Sequence, residues 1–280
     1  MRKILKRILV ALGLFPIVLA FLNRVKKPFR RTVNKWLLWT TRLRGGSYTD
    51  FYERMMDRRA RGAWTGKSGA AVTGTPEERR RRFAPEYFAT HGWITPATTF
   101  LDYGCGGGAT GVNFILHLGP GRYTGADISS ECLERARGWV ATCGLSHKNP
   151  NFVHLSGGSL AALAGKKFDV IYAQDVVVHM PPEAVRQLIR DMADFIHERS
   201  VFLLTFTYAD SDCEYQNDNV NWHHNSRFFM DAIKGTRLDC EEVREWATAG
   251  YKPTVPIRMA RFRLRPSAAI SQPRAAAAQG

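Results

Sequence analysis

Between residues 98 and 265 the chain alternates short apolar runs with longer stretches in which apolar residues recur every three or four positions. Short runs rich in β-branched and aromatic residues are typical of strands, and the longer spacing is typical of helices that bury one face. Strands alternating with helices predict a doubly wound α/β fold with a mostly parallel sheet and right-handed crossovers. The predicted strands are Thr98–Leu101, Arg122–Ala126, Asn151–Leu155, Phe168–Ala173 and Val201–Phe206, and the predicted helices between them are Ser129–Cys143, Leu160–Ala164 and Pro182–Glu198.

The pattern changes toward the end of the chain. A helix is predicted around Ser226–Ile233, followed by two strand-like runs, Leu238–Trp246 and Ile257–Leu264, joined by a turn that contains Gly and Pro. After Pro266 the composition is dominated by Ala, Ser, Gln and Pro without a repeating apolar face, so we expect residues 266–280 to be a disordered tail.

Two further helices are predicted ahead of the first strand. One covers Tyr48–Arg61, and the other covers Glu77–Tyr87, with Thr75 as its N-cap and Pro76 at its first position. The segment Ala63–Thr75 between them is rich in Gly, Ser and Thr, and we expect it to be mobile.

The first strand leads into a glycine-rich turn, which is the most informative stretch of the sequence. Residues 98–111 read TTFLDYGCGGGATG, in which Asp102 precedes a group of glycines, and apolar residues at helical spacing resume afterwards. Glycine lets the backbone approach a ligand closely, and the free N–H groups of the following helix favour polar or negatively charged groups. The arrangement predicts a loop that holds a nucleotide-like cofactor.

Two cofactor classes fit this loop. Gly106, Gly108 and Gly111 match the spacing of the dinucleotide fingerprint, and Asp127 lies 19 residues beyond Gly108, near the position of a ribose-binding acid. Asp102 favours the other class, because its carboxylate would repel a pyrophosphate and attract a cofactor with a cationic amino-acid end. A dinucleotide-dependent oxidoreductase remains the alternative interpretation.

The stretch LDYGCGGGATG, with YTGADIS and FDVIYAQDVVVHM after it, resembles the class I S-adenosylmethionine-dependent methyltransferases. The resemblance extends from about Phe83 to Arg265. It implies S-adenosyl-L-methionine as the cofactor, methyl transfer as the reaction, and a seven-stranded sheet whose last strand is antiparallel. It also places Asp102 near the methionine end of the cofactor. A non-catalytic, membrane-associated binding module of the same fold is a further alternative.

The predicted cofactor-binding residues follow the ends of the strands. Asp127 ends the second strand, where its carboxylate can accept hydrogen bonds from both ribose hydroxyls. After the third strand the family usually has an acid or amide that contacts adenine, whereas this chain reads SGGS, so the contact falls to Ser159, a backbone N–H or no polar group. The predicted set is Asp102, Gly104, Gly106, Gly108, Asp127, Ile128, Ser159 and Gln174.

The catalytic candidates, Asp175 and His179, follow the fourth strand. Methyl transfer is an in-line displacement at a carbon already activated by a sulfonium, so the protein mainly positions the acceptor and, for a hydroxyl, removes its proton. Either side chain can act as that base. His179 also has a second interpretation, as a structural histidine that closes the loop before Pro181.

Aromatic and histidine residues outside the strand ends are candidates for contacts with the acceptor. They are Tyr48, Tyr52 and Trp64 ahead of the first strand, and Tyr208, Tyr215, Trp222 and His223 in or beside a predicted loop over Asp210–Trp222. No metal site is predicted, because the five cysteines are scattered and the adjacent His223 and His224 point in different directions.

The charge of the chain is concentrated at its beginning. The net charge is +15 overall, but residues 1–82 hold 21 Lys and Arg against 5 Asp and Glu, whereas residues 83–280 hold 19 against 20. A nearly neutral catalytic domain disfavours a nucleic-acid groove, because phosphate binding needs local positive charge. The basic segment and its apolar neighbours favour a membrane surface.

An uncharged apolar run of 15 residues, Ile8–Leu22, lies between two basic clusters. As one helix it would be roughly 22 Å long, shorter than the hydrocarbon core of a bilayer, and Pro16 interrupts it. Both flanks are positive and both therefore prefer the cytoplasmic face, so the run predicts a re-entrant or in-plane anchor. A short span, a signal segment and a docking helix remain alternatives.

These observations divide the chain into an anchor segment (residues 1–44), a cap region (45–97), a cofactor-binding domain (98–265) and the tail. Trp36 and Trp39 either extend the anchor at headgroup level or pack on the domain. The predicted acceptor is a small molecule, a glycan or a lipid-linked compound at the cytoplasmic face of a membrane, with a cytoplasmic protein free of the membrane as the alternative. The sequence leaves open the acceptor atom and the oligomeric state.

Overall fold

The computed structural model describes residues 34, 36–61, 74–82, 85–210, 213–216, 221–243 and 257–266. The predicted anchor run, most of the predicted mobile segment with Trp64, and the predicted tail after Pro266 lie outside these residues. No helix within the described ranges is both long enough and apolar enough to cross a membrane.

A seven-stranded sheet forms the centre of the molecule, in the order β3-β2-β1-β4-β5-β9-β8. The first five strands are mutually parallel, and β9 is antiparallel to both of its neighbours, β5 and β8. The predicted doubly wound sheet with an antiparallel last strand is therefore confirmed. Its strands are β1 (Phe100–Tyr103), β2 (Tyr123–Asp127), β3 (Asn151–His154), β4 (Val170–Ala173), β5 (Val201–Thr207), β8 (Leu238–Val243) and β9 (Ile257–Leu264).

Helices cover both faces of this sheet. Every residue of β1, β2, β4 and β5 is buried, as expected for strands packed on both sides, whereas the edge strand β3 is largely accessible. The helices are α1 (Tyr48–Ala60), α2 (Pro76–Arg82), α3 (Pro85–Thr90), α4 (Gly111–Ile115), α5 (Ser130–Thr142), α6 (Pro182–Met192) and α7 (Ser226–Ala232), and residues 36–43 form a further helical segment before α1.

Two predictions of local structure were wrong. The helix expected over Glu77–Tyr87 is two helices, α2 and α3, because Pro85 cannot continue the hydrogen bonding of a preceding helix. The predicted N-cap of α2 is present, since the Glu78 N–H donates to the Thr75 hydroxyl at 3.3 Å.

The second error concerns the expected loop over Asp210–Trp222. It contains strand β6 (Cys213–Gln216), which pairs with β7 (Asn221–His224) in an antiparallel hairpin with Tyr215 opposite Trp222. The sequence CEYQ is too polar and too short to be recognised as a strand, and pairing with β7 stabilises it as one.

Candidate active site

A cavity of about 360 Å³ opens at the carboxyl ends of β1, β2 and β4. In parallel sheets these ends lie at one edge, where helix N-termini and loops can surround a ligand. The cavity brings together most of the predicted site residues: Asp102, Gly104, Gly106, Asp127, Ile128, Gln174, Asp175 and His179. Gly108 and Ser159 are the two predicted residues that do not line it.

Asp102 lies within β1, beside Gly125 of β2 and Tyr172 of β4, and its side chain is 2% exposed. The Tyr123 hydroxyl donates a hydrogen bond to Asp102 Oδ2 at 2.7 Å. Burial raises the pKa of Asp102 to about 7, although the hydrogen bond from Tyr123 acts in the opposite direction. A buried carboxylate of this kind is stabilised by a cation, which a ligand in the cavity can supply.

Asp127, at the end of β2, links the second strand to the glycine loop. Its Oδ2 accepts the Gly106 N–H at 2.8 Å, and its Oδ1 accepts the Ser129 N–H at 2.8 Å. Burial raises the pKa of Asp127 to about 6, against the effect of these two hydrogen bonds. Each carboxylate oxygen has a second lone pair, so the group can still accept hydrogen bonds from a ligand.

Two glycines of the loop are required by close packing. A Cβ at Gly108, whose φ is +77°, would lie 2.7 Å from the Ala136 Cβ, so Gly108 allows the loop to contact α5. A Cβ at Gly111 would lie 2.1 Å from the Tyr123 hydroxyl. Gly108 therefore packs against α5 and supports the loop there, which explains why it does not line the cavity.

The prediction that Ser159, after β3, contacts the cofactor is not supported, because Ser159 does not line the cavity. Ser159 is exposed, and its hydroxyl accepts the Ala161 N–H at 3.3 Å. Leu155, Gly157, Gly158 and Leu160 line this side of the cavity instead.

Helix α6 adds polar groups that the sequence analysis missed. Gln187 and Asp191 line the cavity, and Gln187 Nε2 donates to Asp191 Oδ1 at 2.6 Å. Their spacing of four residues puts them on one helix face, but this spacing alone does not distinguish a cavity wall from a solvated surface.

Gln174 and Asp175, directly after β4, add polar groups to the cavity. Gln174 is buried and lines the cavity, and among the described residues no group pairs with its Oε1. Asp175 has a φ of +54°, unusual for a residue with a side chain, and its N–H donates to the buried Thr205 hydroxyl at 2.8 Å. Conformations of this kind cost about 1–3 kcal/mol and are retained where the surroundings enforce them.

His179 ends the short turn Val177–His179 and faces α1. Its imidazole stacks on the Tyr52 ring, with centroids 5.2 Å apart and planes inclined by 29°. Tyr48 and Tyr52 both line the cavity, as their prediction as acceptor-side residues requires, although this position does not test their role. The stack gives the imidazole a fixed orientation.

The other aromatic candidates lie elsewhere. Tyr208, Trp222 and His223 are not among the described residues that line the cavity. The Tyr208 ring contacts the Arg258 guanidinium, whose central carbon lies 3.4 Å from the ring centroid. No group of three or more His, Cys, Asp and Glu side chains within the described ranges could hold a metal ion.

Helix α1 covers the cavity and is attached to α5 by polar contacts. The Ser129 hydroxyl donates to Asp57 Oδ1 at 2.6 Å, and Arg135 donates to the Ala60 carbonyl at 3.3 Å. Glu53 lies 3.5 Å from the His154 imidazole. The cap region is thereby held over the ends of β2 and β3.

Arg79, on α2, is a further cavity residue that the sequence analysis did not single out. Its Nη1 lies 3.5 Å from Asp175 Oδ2, across 96 residues of sequence. The only sequence signal is the run RRRR in α2, which cannot show which of the four side chains faces the site.

Comparisons of sequence show what this region is similar to. Residues 100–198 match a family model described as a methyltransferase domain. The probable methyltransferase ltbC of Aspergillus luteorubrus is 26% identical over 119 residues, which are 41% of this chain and 42% of that protein. The chain therefore spans less than half the length of this curated relative.

Solved structures share the fold at low identity. The glycopeptide N-methyltransferase MtfA is 13% identical, with a TM-score of 0.53 over 70% of this chain and 99% of its own. Magnesium protoporphyrin IX methyltransferase from Synechocystis PCC 6803, with bound SAH, is 16% identical, with a TM-score of 0.51 over 68% and 83%. Residues 100–198 therefore match a methyltransferase domain in sequence, and the chain shares the fold of these two methyltransferases.

Proposed function

We propose that this protein transfers a methyl group from S-adenosyl-L-methionine to a small-molecule, glycan or lipid-linked acceptor at the cytoplasmic face of a membrane. The observation that carries the proposal is the pair of buried carboxylates, Asp102 and Asp127, which lie at one glycine loop in the same cavity as Asp175 and His179. The cofactor supplies an electrophilic methyl group on a sulfonium. The protein has to bind the cofactor, orient the acceptor toward this methyl group and remove the proton of the acceptor.

The described residues fit such a cofactor. Asp102 can pair with the amino group of the methionine part, and Asp127 can accept from the ribose hydroxyls. Ile128, Leu155 and Leu160 supply an apolar slot for a purine next to Asp127. The unpaired Gln174 Oε1 can accept a further hydrogen bond in the cavity. Gly104 and Gly106 allow the cofactor to approach the backbone.

Asp175 and His179 are the proposed proton acceptors for the attacking group. They belong to one short segment after β4, with Tyr52 stacked on the imidazole and Thr205 bonded to the backbone of Asp175. A rigid support matters because a base acts only when it is within hydrogen-bond reach of the proton that it removes. A neutral imidazole or an ionised carboxylate can take the proton of an acceptor hydroxyl.

The near neutrality of residues 83–280 disfavours a nucleic-acid acceptor. Apolar side chains, including Met56, Met180 and Pro181, line the cavity beside its polar groups, which suits a small organic acceptor. Two proteins of the same fold are by name a glycopeptide N-methyltransferase and a porphyrin methyltransferase, which supports acceptors of that size range.

The helical segment 36–43 supports the membrane part of the proposal. Trp36, Trp39 and Leu43 are 56%, 58% and 67% exposed, and their spacing puts them on one side of the helix. Indole rings favour the headgroup region, and the neighbouring Arg42 and Arg44 favour anionic lipids. Only residues 44–47 separate this segment from α1, so a membrane contact here would bring the covered cavity close to the lipid surface.

The first experiment is calorimetric titration of the full chain with S-adenosylmethionine, S-adenosylhomocysteine and NADH in parallel. We expect micromolar binding of the first two and none of the third. Binding of NADH alone would refute the proposal.

The second experiment tests catalysis with radiolabelled S-adenosylmethionine and fractionated membrane and metabolite extracts as acceptors. We expect Asp175→Asn or His179→Ala to lower transfer at least tenfold while cofactor binding persists. Asp194→Asn, at an exposed position outside the cavity, is the matched control. Full transfer by both variants would show that neither side chain is the base.

A further inference from the structure

The charges around the cavity are unevenly distributed. Among the described residues, the carboxylates that line it are those of Asp102, Asp127, Asp175 and Asp191. Arg79 is the lone Lys or Arg side chain among the described lining residues, and it is 21% exposed. Its partner across the cavity, Asp175, is 30% exposed. A ligand with a negative group therefore meets one favourable place on the described wall and several unfavourable ones.

S-adenosylmethionine has one negative group, the carboxylate of its methionine part, beside a positive amino group and a positive sulfonium. The positive groups are attracted by the carboxylates of the cavity. The carboxylate of the cofactor requires a cation or several N–H donors from the protein, because an unpaired charge in a partly buried site is costly. A guanidinium offers two parallel N–H donors to such a carboxylate.

Helix α2, which carries Arg79, is attached to the glycine loop that follows Asp102. The buried Asn113 of α4 donates through Nδ2 to the Pro76 carbonyl at 2.9 Å and to the Ala109 carbonyl at 3.1 Å. These bonds connect the first residue of α2 to the glycine loop, and Ala109 lines the cavity together with Asp102. Arg79 follows Pro76 by three residues, close to one helical turn, so it lies over the same part of the loop.

We propose that Arg79 binds the carboxylate of the methionine part of the cofactor. Arg79 thereby exchanges its ion pair with Asp175 for an ion pair with the cofactor. The inference rests on the proposed function and assigns a residue to it. The 3.5 Å separation of Arg79 and Asp175 is longer than a strong charge-assisted hydrogen bond, so a ligand carboxylate can compete for the guanidinium. Once the exchange has occurred, the Asp175 carboxylate no longer has Arg79 as its ion-pair partner when the acceptor arrives.

The test compares S-adenosylmethionine with decarboxylated S-adenosylmethionine, which keeps the amino and sulfonium groups. In calorimetric titrations we expect the unaltered full chain to prefer S-adenosylmethionine by roughly tenfold to a hundredfold. In Arg79→Gln the preference is expected to fall below about threefold, through weaker binding of S-adenosylmethionine alone. Arg80→Gln, an exposed neighbour on the same helix, is expected to keep the full preference.

The variant Asp102→Asn distinguishes the proposed carboxylate subsite at Arg79 from the proposed site of the amino group at Asp102. Both ligands retain the amino group that Asp102 is proposed to bind, so this variant is expected to weaken both by a similar factor. Asp175→Asn removes the competing carboxylate and is expected to strengthen S-adenosylmethionine severalfold without strengthening the decarboxylated ligand.

Two results would overturn the inference. Arg79→Gln could keep the preference for the carboxylate ligand, or it could lose both ligands equally, as expected if Arg79 only supports Asp175 and the fold. A different result, binding of neither ligand to the unaltered protein, would refute the proposed function itself. An unchanged affinity in Asp175→Asn would contradict the exchange of ion pairs.

Discussion

At the scale of single residues, two carboxyl groups of the cavity lie in places that disfavour their charge. Asp102 and Asp127 have raised pKa values mainly because they are buried, and few groups of the protein compensate for the burial. Such positions are costly for the folded chain and useful for a ligand that brings its own cation and hydroxyl groups. Their properties can be tested without knowledge of the acceptor.

We expect the affinity for S-adenosylmethionine to rise as the pH increases from 6 to 8. Asp102 has a pKa of about 7 in the free protein and must be ionised to pair with an amino group, so binding releases a proton in this range. Calorimetric titration in buffers of different ionisation enthalpy measures that release. An affinity independent of pH would contradict the proposed pairing, and Asp102→Asn is expected to lose both the pH dependence and most of the affinity.

Asp102→Asn is also expected to raise the stability of the ligand-free protein at pH 8. The pKa of Asp102 is raised in the folded state from its ordinary value of 3.8 to about 7, so the folded state holds its proton more strongly than the unfolded state, and stability falls as the pH rises between these two values. The amide keeps the acceptor for the Tyr123 hydroxyl without a charge. We expect thermal unfolding roughly 2–8 °C higher at pH 8 and a much smaller difference at about pH 4, near the pKa of the unfolded carboxyl. Asp194→Asn is the exposed control, and equal melting temperatures for Asp102→Asn and the unaltered protein at pH 8 would contradict the buried charge.

Gly111→Ala is expected to destabilise the protein by about 1–3 kcal/mol and to weaken cofactor binding. The added methyl group would lie 2.1 Å from the Tyr123 hydroxyl, which donates to Asp102, so it would displace the tyrosine from the carboxylate. Gly138→Ala is the control, because a methyl group there meets no atom within 4 Å on the exposed face of α5. Denaturant titration and calorimetry measure the two effects, and the prediction is wrong if the two alanine variants behave alike.

At the scale of elements, the cavity depends on helices that come before the sheet in sequence. Helix α1 begins at a capping box in which Ser47 and Asp50 bond to each other's backbone N–H groups. Its buried face packs around Phe51 and Met55, and its polar contacts attach it to α5. The cap region therefore forms one wall of the cavity.

Asp57→Ala is expected to loosen α1 while the sheet stays intact. The variant removes the acceptor of the Ser129 hydroxyl, one of the bonds that hold α1 on α5. We expect amide hydrogen exchange over residues 48–60 to accelerate about fivefold or more, with unchanged exchange in β4 and β5. Arg54→Ala, at an exposed position of α1, is the matched control. Equal protection of α1 in both variants would show that the Asp57 contact does not hold the helix.

At the scale of the whole molecule, basic and apolar groups are concentrated ahead of the catalytic domain. Residues 83–280 are nearly neutral, and the tryptophans that are exposed within the described ranges, Trp36 and Trp39, belong to the segment that precedes α1. This separation suits a protein that uses one part for a surface and another for chemistry.

Removal of residues 1–35 is expected to release the protein from membranes. The deletion takes away the apolar run and most of the adjacent basic residues, so both burial in the interface and attraction to anionic lipids are reduced. Sedimentation with vesicles that contain anionic lipid measures the effect. High salt is expected to extract the full chain only in part, because apolar burial persists, and a truncated chain that still pellets fully would refute the proposed anchor.

The sequence alone determined the parts of this protein that are local along the chain. Apolar spacing predicted the alternation of β1 to β5 with helices, because burial on both faces requires continuous apolar strands. The glycine turn with Asp102 before it, and Asp127 at the end of the next strand, could be recognised because turn chemistry and strand ends are encoded by neighbouring residues. The shared edge of a parallel sheet then brings these residues into one cavity.

Tertiary structure alone decided which distant residues meet. The pairing of Arg79 with Asp175, the stacking of Tyr52 on His179 and the packing of Gly108 against α5 join segments whose separation in sequence has no periodic signature. Ser159 lies outside the cavity for the same reason, since its direction depends on how the turn after β3 packs. Local patterns specify elements, whereas a ligand cavity depends on long-range packing that several elements determine together.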